Sequence, residues 1–92
     1  MKVTVKAFAG LRDVLGKERE VEIQPGESVR ELLSALAGAF SGLHDLMFER
    51  NGRVKPQNMV LINGRNIAFL QGLDTVLEAG DVLDLFPAAG GG

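Results

Sequence analysis

Ser28-Val29-Arg30-Glu31-Leu32-Leu33-Ser34-Ala35-Leu36-Ala37-Gly38-Ala39-Phe40 is the stretch around which the rest of the chain has to be arranged. Val29, Leu32, Leu33, Leu36, Ala37 and Phe40 recur at the three- and four-residue steps of a helix, so one side is apolar and the other polar. Ser28 with Glu31 three positions on has the form of a capping box, in which each side chain satisfies an amide left unbonded at the helix start. Ser41-Gly42 ends the segment. A single apolar stripe needs another layer to cover it, and the flanking sequence offers strands.

Upstream, Val3, Val5 and Ala7 alternate with Lys2, Thr4 and Lys6, the period of a strand with one buried face. Ala9 to Leu15 predicts a short helical turn capped by Gly16. Glu20-Val21-Glu22-Ile23 alternates again and is expected to pair with the first strand. Gln24-Pro25-Gly26-Glu27 stops it, because proline has no N–H for the ladder. Downstream, His44 to Phe48 adds a helical turn, and Glu49 to Gln57 is a polar loop. Met59-Val60-Leu61-Ile62 is a short buried strand, and Asn63-Gly64 after it is a hairpin signal, since both turn positions need positive φ. Arg65 to Phe69 returns as a fourth strand. Gly72 to Thr75 bends, Glu78 to Asp81 turns, and Val82 to Phe86 is the last strand, closed by Pro87.

The order strand, strand, helix, strand, strand, strand predicts an α+β fold, a single-domain β-grasp or ubiquitin-like arrangement with a mixed sheet of about five strands and one main helix. Residues 1–86 would form the domain and residues 87–92 a flexible C-terminal tail. In such a sheet the first and last strands lie parallel at the centre, which places the start of the chain beside the exit of the tail.

Composition narrows the function. With 92 residues there is room for one domain and little for a catalytic cleft. A net charge of -2 with scattered basic residues gives no footprint for nucleic acid or an anionic membrane. There is no cysteine, so disulfides, iron–sulfur ligation and thiolate chemistry on this chain are excluded. The lone His44, expected to face solvent, argues against a metal site, and the aspartates, Asp84 among them, lack calcium-loop spacing. Gly10, Gly16 and Gly26 build no dinucleotide fingerprint. Glu18, Glu20 and Glu22 alternate on an edge strand, where charge blunts aggregation. No signal peptide and no apolar run near the roughly 20 residues of a membrane span is present, so a cytoplasmic location is expected.

The tail, Pro87-Ala88-Ala89-Gly90-Gly91-Gly92, does nothing for fold stability, and its glycines carry the highest entropy cost on ordering. Taken alone it reads equally as a frayed end or as a strand of backbone narrow enough to thread into another protein, with an unobstructed Gly92 carboxylate.

Phe86-Pro87 five residues before Gly91-Gly92 resembles the MoaD/ThiS family of ubiquitin-like sulfur carriers, which typically close on a Phe-Pro-Pro-Val-Ala-Gly-Gly type of tail. Ala88 and Ala89 stand where proline and valine are usual, and Gly90 where a small residue is usual. Gly72 to Asp81 is similar to the family's G-L-x-T-x-L-x-x-G-D segment, Phe8 to Asp13 to its F-A-x-L-R-E opening, and Val60 to Ile67 also resembles it. The chain is similar as well to small archaeal ubiquitin-like modifiers, some of which share an insertion like Glu49 to Gln57.

The resemblance implies a carrier with no catalytic residues of its own. A ubiquitin-activating-type enzyme, using ATP and magnesium, would adenylate Gly92, and a sulfur donor would convert the adenylate to a thiocarboxylate. Gly90 and Gly91 would serve as the threading tail, and no cofactor would be held tightly. The client expected first is the large subunit of a molybdopterin or tungstopterin synthase. The alternatives are sulfur delivery to cysteine, thiamine or tRNA thiolation, attachment to lysines of target proteins, and a non-covalent β-grasp binding module.

Strand alternation marks the partner-binding face. Phe8 falls on the polar side of the first strand with Lys6, and Phe86 opposite Leu83 and Leu85, so two outward rings are expected side by side next to Pro87 and the tail. The competing reading is a second small core under a loop. Docking is preferred for Phe86 and core for Phe69, which otherwise extends the patch with Met59 or Leu61. Lys6, Arg12 and Arg65 are candidates for an acidic rim on the partner, with solvated charge as the alternative.

Overall fold

The computed structural model describes residues 1–56 and 58–87. Val3, Val5 and Ala7 of β1 (Lys2–Ala7) are each 1% exposed and face inward, as their alternation requires. β2 (Glu18–Glu22) pairs antiparallel with β1, starting two residues earlier than its alternation indicates. β3 (Met59–Ile62), β4 (Arg65–Asn66) and β5 (Val82–Phe86) complete a five-stranded mixed sheet in the order β2-β1-β5-β3-β4. β1 and β5 run parallel at its centre, as the β-grasp reading demands.

Inside, α2 (Val29–Ala39) covers the sheet with Val29, Leu32, Leu33 and Leu36, in one cluster with Leu83 and Leu85 of β5. The capping box is present. The Glu31 amide donates to Ser28 Oγ at 3.2 Å, and the Ser28 amide donates to Glu31 Oε1 at 3.0 Å. The same end is tied to the segment before β5, because the Val29 amide donates to the Thr75 carbonyl and the Leu77 amide to that of Glu27, each at 2.9 Å. Gly42 then takes a left-handed φ of 89°, and α3 (Leu43–Met47) buries Leu43 and Met47. The turn after β1 is a 3-10 segment, Ala9–Leu11, followed by α1 (Arg12–Leu15) and ended by Gly16 at φ 80°.

The Asn63-Gly64 turn has φ of 50° and 86°, the pair of positive values that a two-residue hairpin needs. Two segments depart from their sequence reading. Arg65 to Phe69 does not continue as a strand: Asn66 Oδ1 accepts from the Ala68 amide at 2.9 Å, and that local bond turns Ile67–Phe69 into a 3-10 helix. Within Glu49 to Gln57, the part described is a tight hairpin and not an open loop. Phe48 bridges Val54, the Glu49 amide donates to the Arg53 carbonyl at 2.8 Å, and Asn51 Oδ1 accepts from the Arg53 amide at 3.0 Å. Buried Asn58 fixes this hairpin to α3 by donating from Nδ2 to the carbonyls of Leu46 at 2.8 Å and Met47 at 3.3 Å.

Candidate functional site

β1 does not stop acting as a strand at Ala7. The Phe8 amide donates to the Leu85 carbonyl at 3.2 Å, and Phe8 keeps an extended backbone at φ -126°, ψ 155°. That one extra rung carries the Phe8 ring to the outer face beside Phe86, and the two stack with centroids 4.1 Å apart and planes 10° from parallel. Ala9 then takes φ 51°, uncommon for a residue with a Cβ, and turns the chain off the sheet. Arg12 closes the arrangement: its Nε donates to the Ala7 carbonyl at 3.0 Å and its guanidinium lies 5.3 Å from the Phe8 ring centre. Both rings are half-buried, resting on each other while keeping outward surface.

Register extends the face. Phe86 lies opposite Met59 of β3, and Leu61 lies opposite Asp84, so Met59 and Leu61 share the outer side with the stack. Met59 is 46% exposed. Phe69, assigned to a core on sequence, is 87% exposed instead. The 3-10 turn seeded by Asn66 sends Ile67 inward, at 7% exposed, and leaves Phe69 on the outside. A shallow groove of about 520 Å³ runs between Met59, Leu61, Arg65, Asn66, Phe69 and Leu70. The structure thus brings Phe8, Phe86, Met59 and Leu61 onto one face and adds Leu70, which sequence reasoning missed. Pro87 follows the stack directly and is half-buried. Residues 88–92, including Gly90, Gly91 and Gly92, lie outside the described residues.

The remaining chemistry is sparse. His44 is exposed, with Nδ1 3.4 Å from Asp45 and its ring 5.5 Å from that of Phe48. Among the described residues no group of three or more His, Asp or Glu is placed to hold a metal ion, and no helix is long and apolar enough to cross a membrane. The Glu22 carboxyl is shifted from its ordinary value. Its carboxylate accepts from the Met1 ammonium at 2.9 Å, and that hydrogen bond and charge hold it below its ordinary value.

The sequence profile of the ThiS family matches residues 5–92, nearly the whole chain. This chain belongs to the ThiS family. The ThiS-family chain is 33% identical over 93 residues to small archaeal modifier protein 3 of Haloferax volcanii, covering 100% of each. Over 65 residues it is 28% identical to an Archaeoglobus fulgidus protein named as a sulfur carrier, covering 71% of this chain and 74% of that one. The crystal structure of SAMP1 from Haloferax volcanii superposes with a TM-score of 0.86 at 32% identity, covering 100% of both chains. The fold is therefore ubiquitin-like, and the relatives are named as modifier and sulfur carrier proteins.

Proposed function

We propose that this ThiS-family protein carries its reactive group at the Gly92 carboxyl and supplies no catalytic residue of its own. The carboxylate attacks ATP on a ubiquitin-activating-type partner that holds the ATP and magnesium, releasing pyrophosphate. Sulfide-level sulfur from a donor then attacks the acyl carbon, forming the C–S bond as the bond to AMP breaks, and loss of the sulfur's proton leaves a thiocarboxylate on Gly92. A carboxylate is a poor electrophile, and the adenylate supplies the leaving group that makes the second step feasible. Gly90 and Gly91 let the end thread a narrow channel, while Phe8, Phe86, Pro87 and the exposed Phe69 give the partner its grip. In this reading residues 1–86 are the docking domain and residues 87–92 the working tail.

The observation that carries the reading is the Phe8–Phe86 stack, an apolar pair on the outer face one residue before the tail begins. The client we favour is the large subunit of a molybdopterin or tungstopterin synthase, by the likeness of the Phe86-Pro87 to Gly92 tail. A second reading, attachment of Gly92 to target lysines, is favoured by the end-to-end match to small archaeal modifier protein 3. The test is intact mass after incubation with ATP, a matching activating enzyme and a sulfur donor. Exchange of one oxygen for sulfur, abolished by deleting Gly92 or adding one residue after it, is the expected result. Lysine-linked conjugates on a reducing gel, without a thiocarboxylate, would shift the assignment to the modifier. Neither product, with an enzyme active on a known carrier, would sink both.

A further inference from the structure

Asp84 is an acidic residue at the centre of the outer face, on the strand whose inward residues Leu83 and Leu85 fill the core. It sits on β5, the middle strand, opposite Lys6 of β1 on one side and Leu61 of β3 on the other. Alternation along β5 puts it on the same side as Phe86. Its Oδ1 is buried and accepts no hydrogen bond among the described residues. Lys6 does not pair with it: the ion pairs among the described residues are Met1–Glu22, Arg30–Asp74 and His44–Asp45. Lys6 also faces Glu18 across β2, so it stands between two carboxylates.

We propose that Asp84 is the specificity-determining contact of the docking face, receiving a positively charged lysine or arginine side chain from the partner protein at the centre of an otherwise apolar contact. This rests on the reading of the Phe8–Phe86 face as the docking surface. Oδ1 is already out of solvent and the residue as a whole is half-buried, so covering the face removes the water it still keeps, and a carboxylate stripped of water without a donor opposes binding. A partner bringing a cation recovers that cost through a charge-assisted hydrogen bond, and one presenting only apolar groups does not. Asp84 therefore selects among partners able to grip the aromatic pair.

The sign of one substitution decides the matter. Affinity is measured by calorimetry with the adenylating enzyme of the same source organism as probe, for the unaltered chain, Asp84→Ala, Asp84→Asn and Phe86→Ala. The expected result is at least tenfold weaker binding for Asp84→Ala, with a smaller loss and a flatter salt dependence for the isosteric Asp84→Asn. If Asp84 met no cation, removing it would relieve a desolvation cost. Unchanged or tighter binding by Asp84→Ala, alongside weaker binding by Phe86→Ala, overturns the inference and leaves the docking reading intact. Full affinity in Phe86→Ala removes the docking face and this inference with it. Equal losses of melting temperature in Asp84→Ala and Lys6→Met would show the pair forming within the free chain, and would also overturn the proposal.

Discussion

Phe8 and Phe86 stand at opposite ends of the chain, yet their rings stack at 4.1 Å because the parallel β1–β5 ladder runs one rung past Ala7. Neither ring is needed to fill the core, which closes beneath them on Ala7 and Leu85 at 1% and 0% exposed. Alternate residues of the same two strands thus face the core and the outer surface, and the proposed docking reading would give recognition to the outer set.

Phe86→Ala tests that separation. Loss of the stack costs stability about 0.5–1.5 kcal/mol, whereas truncating a central aromatic anchor of an interface costs about 2 kcal/mol or more of binding. Affinity for the activating enzyme should fall on the order of 30-fold or more, with only a modest drop in melting temperature. A large loss of stability with unchanged affinity would assign the pair to the fold.

Ser28→Ala removes the oxygen that accepts from the Glu31 amide at 3.2 Å and so half of the capping box. Unfolding in urea should show a loss of about 0.5–2 kcal/mol, with partner affinity untouched, since α2 lies on the far side of the sheet from the stack.

Asn58→Ala should destabilise the hairpin measurably, because Asn58 is buried and its side-chain amide is bonded. The substitution takes the side-chain amide away from the Leu46 carbonyl and the longer of two bonds from the Met47 carbonyl, which keeps the Lys55 amide at 2.8 Å. The expected cost is about 1–3 kcal/mol, with hydrogen exchange rising first across residues 48–56.

Glu22 gives the fold an acid dependence. Its folded value lies below the ordinary 4.5 because the Met1 ammonium donates to it and attracts it. A lowered carboxylate contributes stability above the unfolded value and loses it as pH falls through the folded one. Stability measured from neutral pH down through that range should decline less in Glu22→Gln than in the unaltered chain. The group is fully exposed, so the difference should be small and should shrink with added salt.

The helix from Val29, the parallel central strands and the Asn63-Gly64 turn were legible because each has a local cause: period, a cap, or a demand for positive φ. The outward pairing of Phe8 with Phe86 was legible too, since alternation alone sets which side of a strand a residue takes. Phe69 was not. Its placement depends on the Asn66 side chain outcompeting the ladder for the Ala68 amide, a choice that composition leaves open. The hairpin after Phe48 was hidden for a related reason: its anchor, Asn58, sits beyond the hairpin and reaches back to α3. Asp84 carried no signal, because an acidic residue in an alternating strand reads as ordinary solvent-facing polarity until its neighbours across the sheet are known.

The parallel β1–β5 pairing joins residues 2–7 to residues 82–86, so the middle of the sheet waits for the last strand to be synthesised. Non-local pairing of this kind forms late and all at once. The aromatic pair displayed to a partner therefore cannot exist on a nascent, truncated or unravelled chain, which lacks either Phe86 or the strand that aligns it with Phe8. On the proposed docking reading, a partner that grips this pair would inspect the protein's own completeness, and ATP would be committed only to chains that have finished folding.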